Sequence, residues 1–183
     1  MLSDANRLSR ILAWIYLVGL AILPLGIGWL ILNLEWVVHH PPLVTLMPAS
    51  IMDGLPLPET FSIESRLAVL TACALPAGLT AAVLWNLSRF FSGLARGAIF
   101  TPESVRRIRR VGLCMLVRVC AAPFTGALMT LALTLDNPPG QHMISLSMDS
   151  KDLSELITAL TLLVAARVLD QGRALHEDAQ LVI

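Results

Sequence analysis

A chain of 183 residues that is 56% hydrophobic and only 14% charged is neither a disordered segment nor an ordinary soluble domain. Soluble domains run near 45–50% apolar and about 25% charged. The 13 basic and 13 acidic residues cancel to a net charge of 0, which at face value argues against nucleic acid as a partner, although a sum conceals where charges sit.

Crossing the roughly 30 Å hydrocarbon core of a bilayer takes about 20 apolar residues as a helix rising about 1.5 Å each. The run 11–32 is uncharged and long enough. A cleavable signal peptide has a shorter apolar run and a small-x-small site, whereas this run leads into Asn33-Leu34-Glu35-Trp36. The run 67–87 is also uncharged, 111–135 is interrupted only by Arg118, and 153–169 holds Glu155 and Arg167 near its ends. The last helix is expected to continue past Asp170. These four runs predict an all-α integral membrane protein, a single membrane domain 1–183 built as a four-transmembrane-helix bundle.

Basic residues orient such a bundle. Ten of the 13 fall on one side: in the N-terminal tail, in the connection 88–110, and at the C-terminal end. That side is expected to be cytoplasmic in a bacterial inner membrane, with both termini and the tail 170–183 inside. Loops 33–66 and 136–152 are expected outside. With this topology the inside carries +5 and the outside −6, and Arg118 supplies the remainder. Trp14 and Trp85 then lie toward the inner interface, Trp29 and Trp36 toward the outer. Cys73, Cys114 and Cys120 fall within spans and read as packing residues, with no disulfide framework.

The first outer loop holds Pro41, Pro42, Pro48, Pro56 and Pro58, which exclude a long helix. The second opens with the turn sequence Asp136-Asn137-Pro138-Pro139-Gly140, and Ile144 to Met148 alternates like one short strand. On the inner side, Thr101-Pro102-Glu103 is a helix start: Thr as cap, Pro at the first helical position, an acid in the first turn. That helix carries Arg106, Arg107, Arg109 and Arg110 into the third span.

Leu94 to Glu103 echoes Leu169 to Asp178, with Gly97 and Gly172 in register. Two repeated helical hairpins would explain the echo. Against this, the distance from span start to glycine differs between the halves by about three helical turns.

The stretch 89–112, with Gly97-x-x-Phe100-Thr101-Pro102-Glu103 and its arginine-rich helix start, resembles a bacterial family of small four-span membrane proteins, domain of unknown function 2975. The ending Gly172-x-x-Leu175-x-Glu177-Asp178 resembles that family's closing pattern. The resemblance implies an integral membrane protein often encoded beside a small helix-turn-helix DNA-binding protein. It implies no known enzymatic activity and no agreed catalytic residues; no cofactor is expected.

Three features are candidate sites. Arg106, Arg107, Arg109 and Arg110 can attract anionic lipid or an acidic partner surface, or simply set topology. Arg118, within a span, can snorkel to the interface or join Arg107, Val111 and Cys114 in a stripe on one helix face. Pro24, Pro76 and Pro123, each closely followed by glycine, fall near mid-membrane, where broken helices mark transporter sites. Gly78-x-x-x-Ala82 and Gly93-x-x-x-Gly97 read as close-packing faces. His39, His40 and His142 have no fixed ligand spacing, and no metal is expected. No direct nucleic-acid contact is expected, because the arginine cluster abuts the membrane. The resulting expectation is a non-enzymatic membrane regulator whose inner face, 88–110 plus the tail, docks a small soluble DNA-binding regulator. The alternative is a small transporter or channel subunit. The oligomeric state is not set by the sequence.

Overall fold

The computed structural model describes residues 2–40, 55–97, 101–146 and 148–180, with side chains between residues 7 and 172. Five helices follow in chain order: α1 (Leu2–Leu32), α2 (Leu34–His39), α3 (Ile63–Leu94), α4 (Pro102–Leu133) and α5 (Ser150–Gln180). Pro24, Pro76 and Pro123 lie inside α1, α3 and α4, which continue through them as helix rather than breaking.

Among the described residues three helices, rather than the expected four, are long and apolar enough to cross a membrane: Arg7–Leu32, Ile63–Leu94 and Pro102–Leu133. The fourth long helix, α5, has 31 residues and so has the length. Its composition is what falls short. Lys151, Asp152 and Glu155 crowd one end, and Arg167, Asp170 and Arg173 follow before the helix finishes. As expected, α5 does run on past Asp170, to Gln180.

The chain divides into two compact units. The first comprises Met1–Ile22, Leu79–Val117 and Ser154–Ile183. Within it, Gly19 faces Leu84 and the Ser88 hydroxyl donates to the Ala13 carbonyl at 2.9 Å. Position rises along α1 as it falls along α3, so these segments run antiparallel. Tyr16 stacks on Phe91, with ring centroids 5.6 Å apart. Among the glycines of this unit, Gly112 of α4 makes the tightest approach to a neighbour. A Cβ there would sit 2.9 Å from Leu163 Cγ and 3.2 Å from the Ala159 carbonyl of α5. Small residues allow such approach where lipid supplies no hydrophobic drive to helix association. Of the glycines expected to pack closely, Gly93 would bring a Cβ to 4.0 Å from the Ser104 hydroxyl, whereas neither Gly78 nor Gly97 would bring one within 4 Å of a described neighbour.

The second unit comprises Leu23–Gly78 and Arg118–Leu153. It holds a hydrophobic core of Leu34, Val38, Phe61, Val69, Ala132 and Leu133. Arg66 organises its polar part. Its guanidinium donates to the Ile31 and Leu32 carbonyls, both at 3.1 Å, and pairs with Glu35 at 2.8 Å. A helix ends with carbonyls that have no partner in the helix, and a cation there also meets the negative end of the dipole. Arg66 thus caps α1 from the first turn of α3. The Asp136 carboxylate accepts from the Ser62 amide at 2.7 Å, at the start of α3, where the dipole favours an anion.

The expected turn at Pro138–Gly140 forms: the Gln141 amide donates to the Pro138 carbonyl at 3.0 Å, and Gly140 has φ +95°. A strand does not follow among the described residues. The Met143 and Ser145 amides donate instead to the Thr134 and Thr130 hydroxyls, at 3.2 and 3.1 Å. Helix side chains satisfy the donors that a second strand would otherwise take. Ser147 lies outside the described residues.

The sequence echo does not correspond to equivalent positions. Gly97 lies three residues beyond the end of α3, in the left-handed region at φ +81°. Gly172 lies inside α5, eight residues before its end. α3 and α5 are 32 and 31 residues long, so the mismatch is in where the glycines fall, not in helix length.

Candidate functional site

The connection from α3 to α4 gathers most of the residues singled out by sequence, all in the first unit. Thr101 caps α4 as expected: its hydroxyl accepts from the Ser104 amide at 3.3 Å, and the two hydroxyls lie 2.9 Å apart. Pro102 is the first helical residue. Glu103, one position on, reaches Arg107 at 3.2 Å, an i,i+4 pair on the first turns.

Helical geometry divides the arginines. Ser104, Ile108 and Val111 are buried and define the inward face of α4. Arg107 falls beside them, half-buried, and donates to the Arg89 carbonyl of α3 at 2.6 Å. Arg106, Arg109 and Arg110 fall on the other side and are exposed. So the four-arginine cluster is one structural arginine, tying α4 to the end of α3, and three surface arginines. Arg89 in turn lies 4.6 Å above the Trp85 ring, a cation–π contact.

Thr101, Glu103 and Arg107 line one cleft of about 290 Å³ with Gly93, Arg96 and Ser104. Two guanidiniums against one carboxylate, with hydroxyls beside them, suit an anionic group. Arg106, Arg109 and Arg110 do not line it. Arg118 stands in the second unit, half-buried and already engaged, eleven residues beyond Arg107. Val111, on its expected stripe, is buried at 1% exposure. Gly172 would bring a Cβ within 4 Å of nothing described. Phe100 lies outside the described residues, and so do the side chains of Leu175, Glu177 and Asp178, whose backbone is helical.

Three features were not anticipated from sequence. In the sequence Arg66 is only an outer-loop charge, whereas in the fold it caps α1 through the Ile31 and Leu32 carbonyls and pairs with Glu35, 31 positions away. The one signal was its rarity, a lone arginine in an otherwise acidic loop. In the sequence Asp136 is part of a turn and one of the outer acids. Burial acts to raise its carboxyl, but hydrogen bonds from the Ser62 amide and the Ser65 and Ser62 hydroxyls outweigh it and leave the pKa lowered. The three loop histidines share a feature: each places Nδ1 against a backbone carbonyl, His39 on Glu35, His40 on Trp36 and His142 on Thr134, at 2.7–2.8 Å.

No curated protein and no solved structure matches the chain. A family described as protein of unknown function (DUF2975) matches residues 54–183, which takes in α3, α4, α5 and the whole arginine-bearing connection. With more than two thirds of its length matched, including the segments that carry the resemblance, the chain belongs to that family.

Proposed function

We propose that this is a non-enzymatic, multi-pass protein of a bacterial inner membrane that docks a small soluble helix-turn-helix regulator on its cytoplasmic face. The carrying observation is the exposed triad Arg106, Arg109 and Arg110 on the first turns of α4, beside the anion-suited cleft at Arg96 and Arg107. Exposed guanidiniums held on a rigid helix favour an acidic partner surface and speed its encounter. The pairing with a DNA-binding protein comes from what the family resemblance implies about neighbouring genes. Both termini are placed inside, and α5 is taken as a fourth span despite its charges. In support of that span, Leu153, Ile157, Leu160, Val164 and Val168 form one exposed apolar stripe along it, about 22 Å long.

Co-purification after mild detergent extraction tests the docking. The unaltered chain should retain the regulator encoded beside it, and a variant with Arg106, Arg109 and Arg110 changed to Gln should release it. Retention of no soluble protein, or equal retention by the variant, overturns the reading. The transporter alternative rested on helices broken at the prolines and gains nothing from helices that run continuously through them.

A further inference from the structure

A second group of arginines lies apart from the α4 triad, at the start of α1. Two clefts meet there, both within the first unit, and they share Arg10 and Trp14. One is a shallow apolar recess of about 720 Å³ lined by α1 alone, running past Ile11, Ile15 and Val18 to Ile22, with Arg7 and Arg10 at one end only. From Arg10 to Ile22 is about 18 Å of helix, close to the roughly 15 Å of one leaflet's hydrocarbon. The other cleft, about 420 Å³, is more polar. It lies between α1 and α3 and sets Arg10 and Arg96 beside Ser88 and Ser92. No carboxylate is among the described residues lining either cleft.

We propose that this pair of clefts binds one anionic phospholipid, its phosphate between Arg10 and Arg96 and an acyl chain along the Ile11–Ile22 groove. Each part of the geometry selects a part of the lipid. Planar guanidiniums recognise phosphate oxygens in a bidentate manner. With no carboxylate among the described residues of either cleft, although Arg96 also borders the cleft that holds Glu103, the arginines disfavour the ammonium of a zwitterionic headgroup. Trp14, at the join of the two clefts, suits the level of the headgroups, where indoles concentrate. The one-leaflet length of the groove, charged at a single end, distinguishes a lipid from a free phosphate ion, which needs no groove at all.

The test uses the full-length chain in nanodiscs of neutral phosphatidylcholine supplemented with phosphatidylglycerol, with retained lipid counted by native mass spectrometry after stepwise delipidation. The unaltered chain should keep one phosphatidylglycerol in preference to phosphatidylcholine. Arg10→Gln should weaken that preference roughly fivefold, and Arg10→Gln with Arg96→Gln about 25-fold, as expected for one basic side chain at a time near an anionic headgroup. Ile15→Trp, which obstructs the groove without altering charge, should also reduce retention. The Arg106, Arg109, Arg110→Gln variant should leave it unchanged, which separates this site from the exposed α4 triad; Arg96 borders both clefts, so Arg10→Gln alone is the variant specific to the lipid. Equal retention of the two lipids overturns the proposal. So does displacement of the bound lipid by excess inorganic phosphate, or loss of preference in the α4 variant but not in Arg10→Gln.

Discussion

Gly112 makes the most exacting prediction. Its replacement by Ala adds a single methyl group where α4 meets α5. That methyl would lie 2.9 Å from Leu163 Cγ, 3.0 Å from Leu163 Cδ2 and 3.2 Å from the Ala159 carbonyl oxygen. Carbon atoms in contact prefer about 3.5–4.0 Å, so the helices must part or Leu163 must change rotamer. Such overpacking costs about 1–3 kcal/mol. In a soluble helix, Ala would recover about 1 kcal/mol of backbone propensity. Within a bilayer the dissociated helices stay helical, so little of that gain applies and the net loss remains about 1–3 kcal/mol. At roughly 2–4 °C per kcal/mol for a chain of this size, Gly112→Ala should lower the midpoint of thermal unfolding in detergent by several degrees. The same substitution in a Leu163→Ala background should cost much less, because two of the three close contacts are gone. A Gly112→Ala protein as stable as the parent would refute the close approach of α4 and α5. An equal cost in both backgrounds would refute the part assigned to Leu163.

The remaining predictions concern the second unit and the topology. Arg66→Gln should destabilise by about 1–2 kcal/mol, the range for charge-assisted hydrogen bonds reduced for a guanidinium that is 27% exposed; denaturant unfolding measures this, and Arg66→Lys should recover only part because an ammonium lacks the fork. Asp136 should make the protein acid-sensitive. Its lowered pKa means fewer protons bound when folded, so its stabilisation is present above the ordinary carboxylate range and is lost as pH falls through the folded value. Asp136→Asn should flatten the decline in melting temperature below about pH 4, and an unchanged decline would assign the acid sensitivity to other groups. Reporter fusions at Asn137 and at Ile183 should report outside and inside respectively. The same side for both would mean that α5 does not cross.

The sequence carried the apolar helices because spanning is a local property. Charge-free runs such as 11–32 and 67–87 need only length and composition to be recognised, and three helices of the required character formed around the expected runs. The start of α4 was equally legible, because a Thr cap, a Pro at the first helical position and an early acid act on their own turn. The candidate site was legible in part. Composition placed the arginines together, but only the inward face defined by Ser104, Ile108 and Val111 separates Arg107 from its neighbours. The alternation at 144–148 was misleading because the same period can be satisfied by helix hydroxyls without any strand.

Taken alone, the residues determined the helical class, the spans that composition makes unambiguous and the concentration of basic charge on one set of connections. Tertiary structure decided which small residue packs, since Gly112 has no distinguishing neighbours along the chain and acquires its role only from Leu163 and Ala159. It decided that Arg66 closes the end of α1 and that Asp136 sits at the start of α3, across separations of 34 and 74 residues. The physical reason is common to these cases. Hydropathy and capping act within a few turns, whereas a cap or a close contact supplied by a distant residue depends on distances that exist only once the helices are packed.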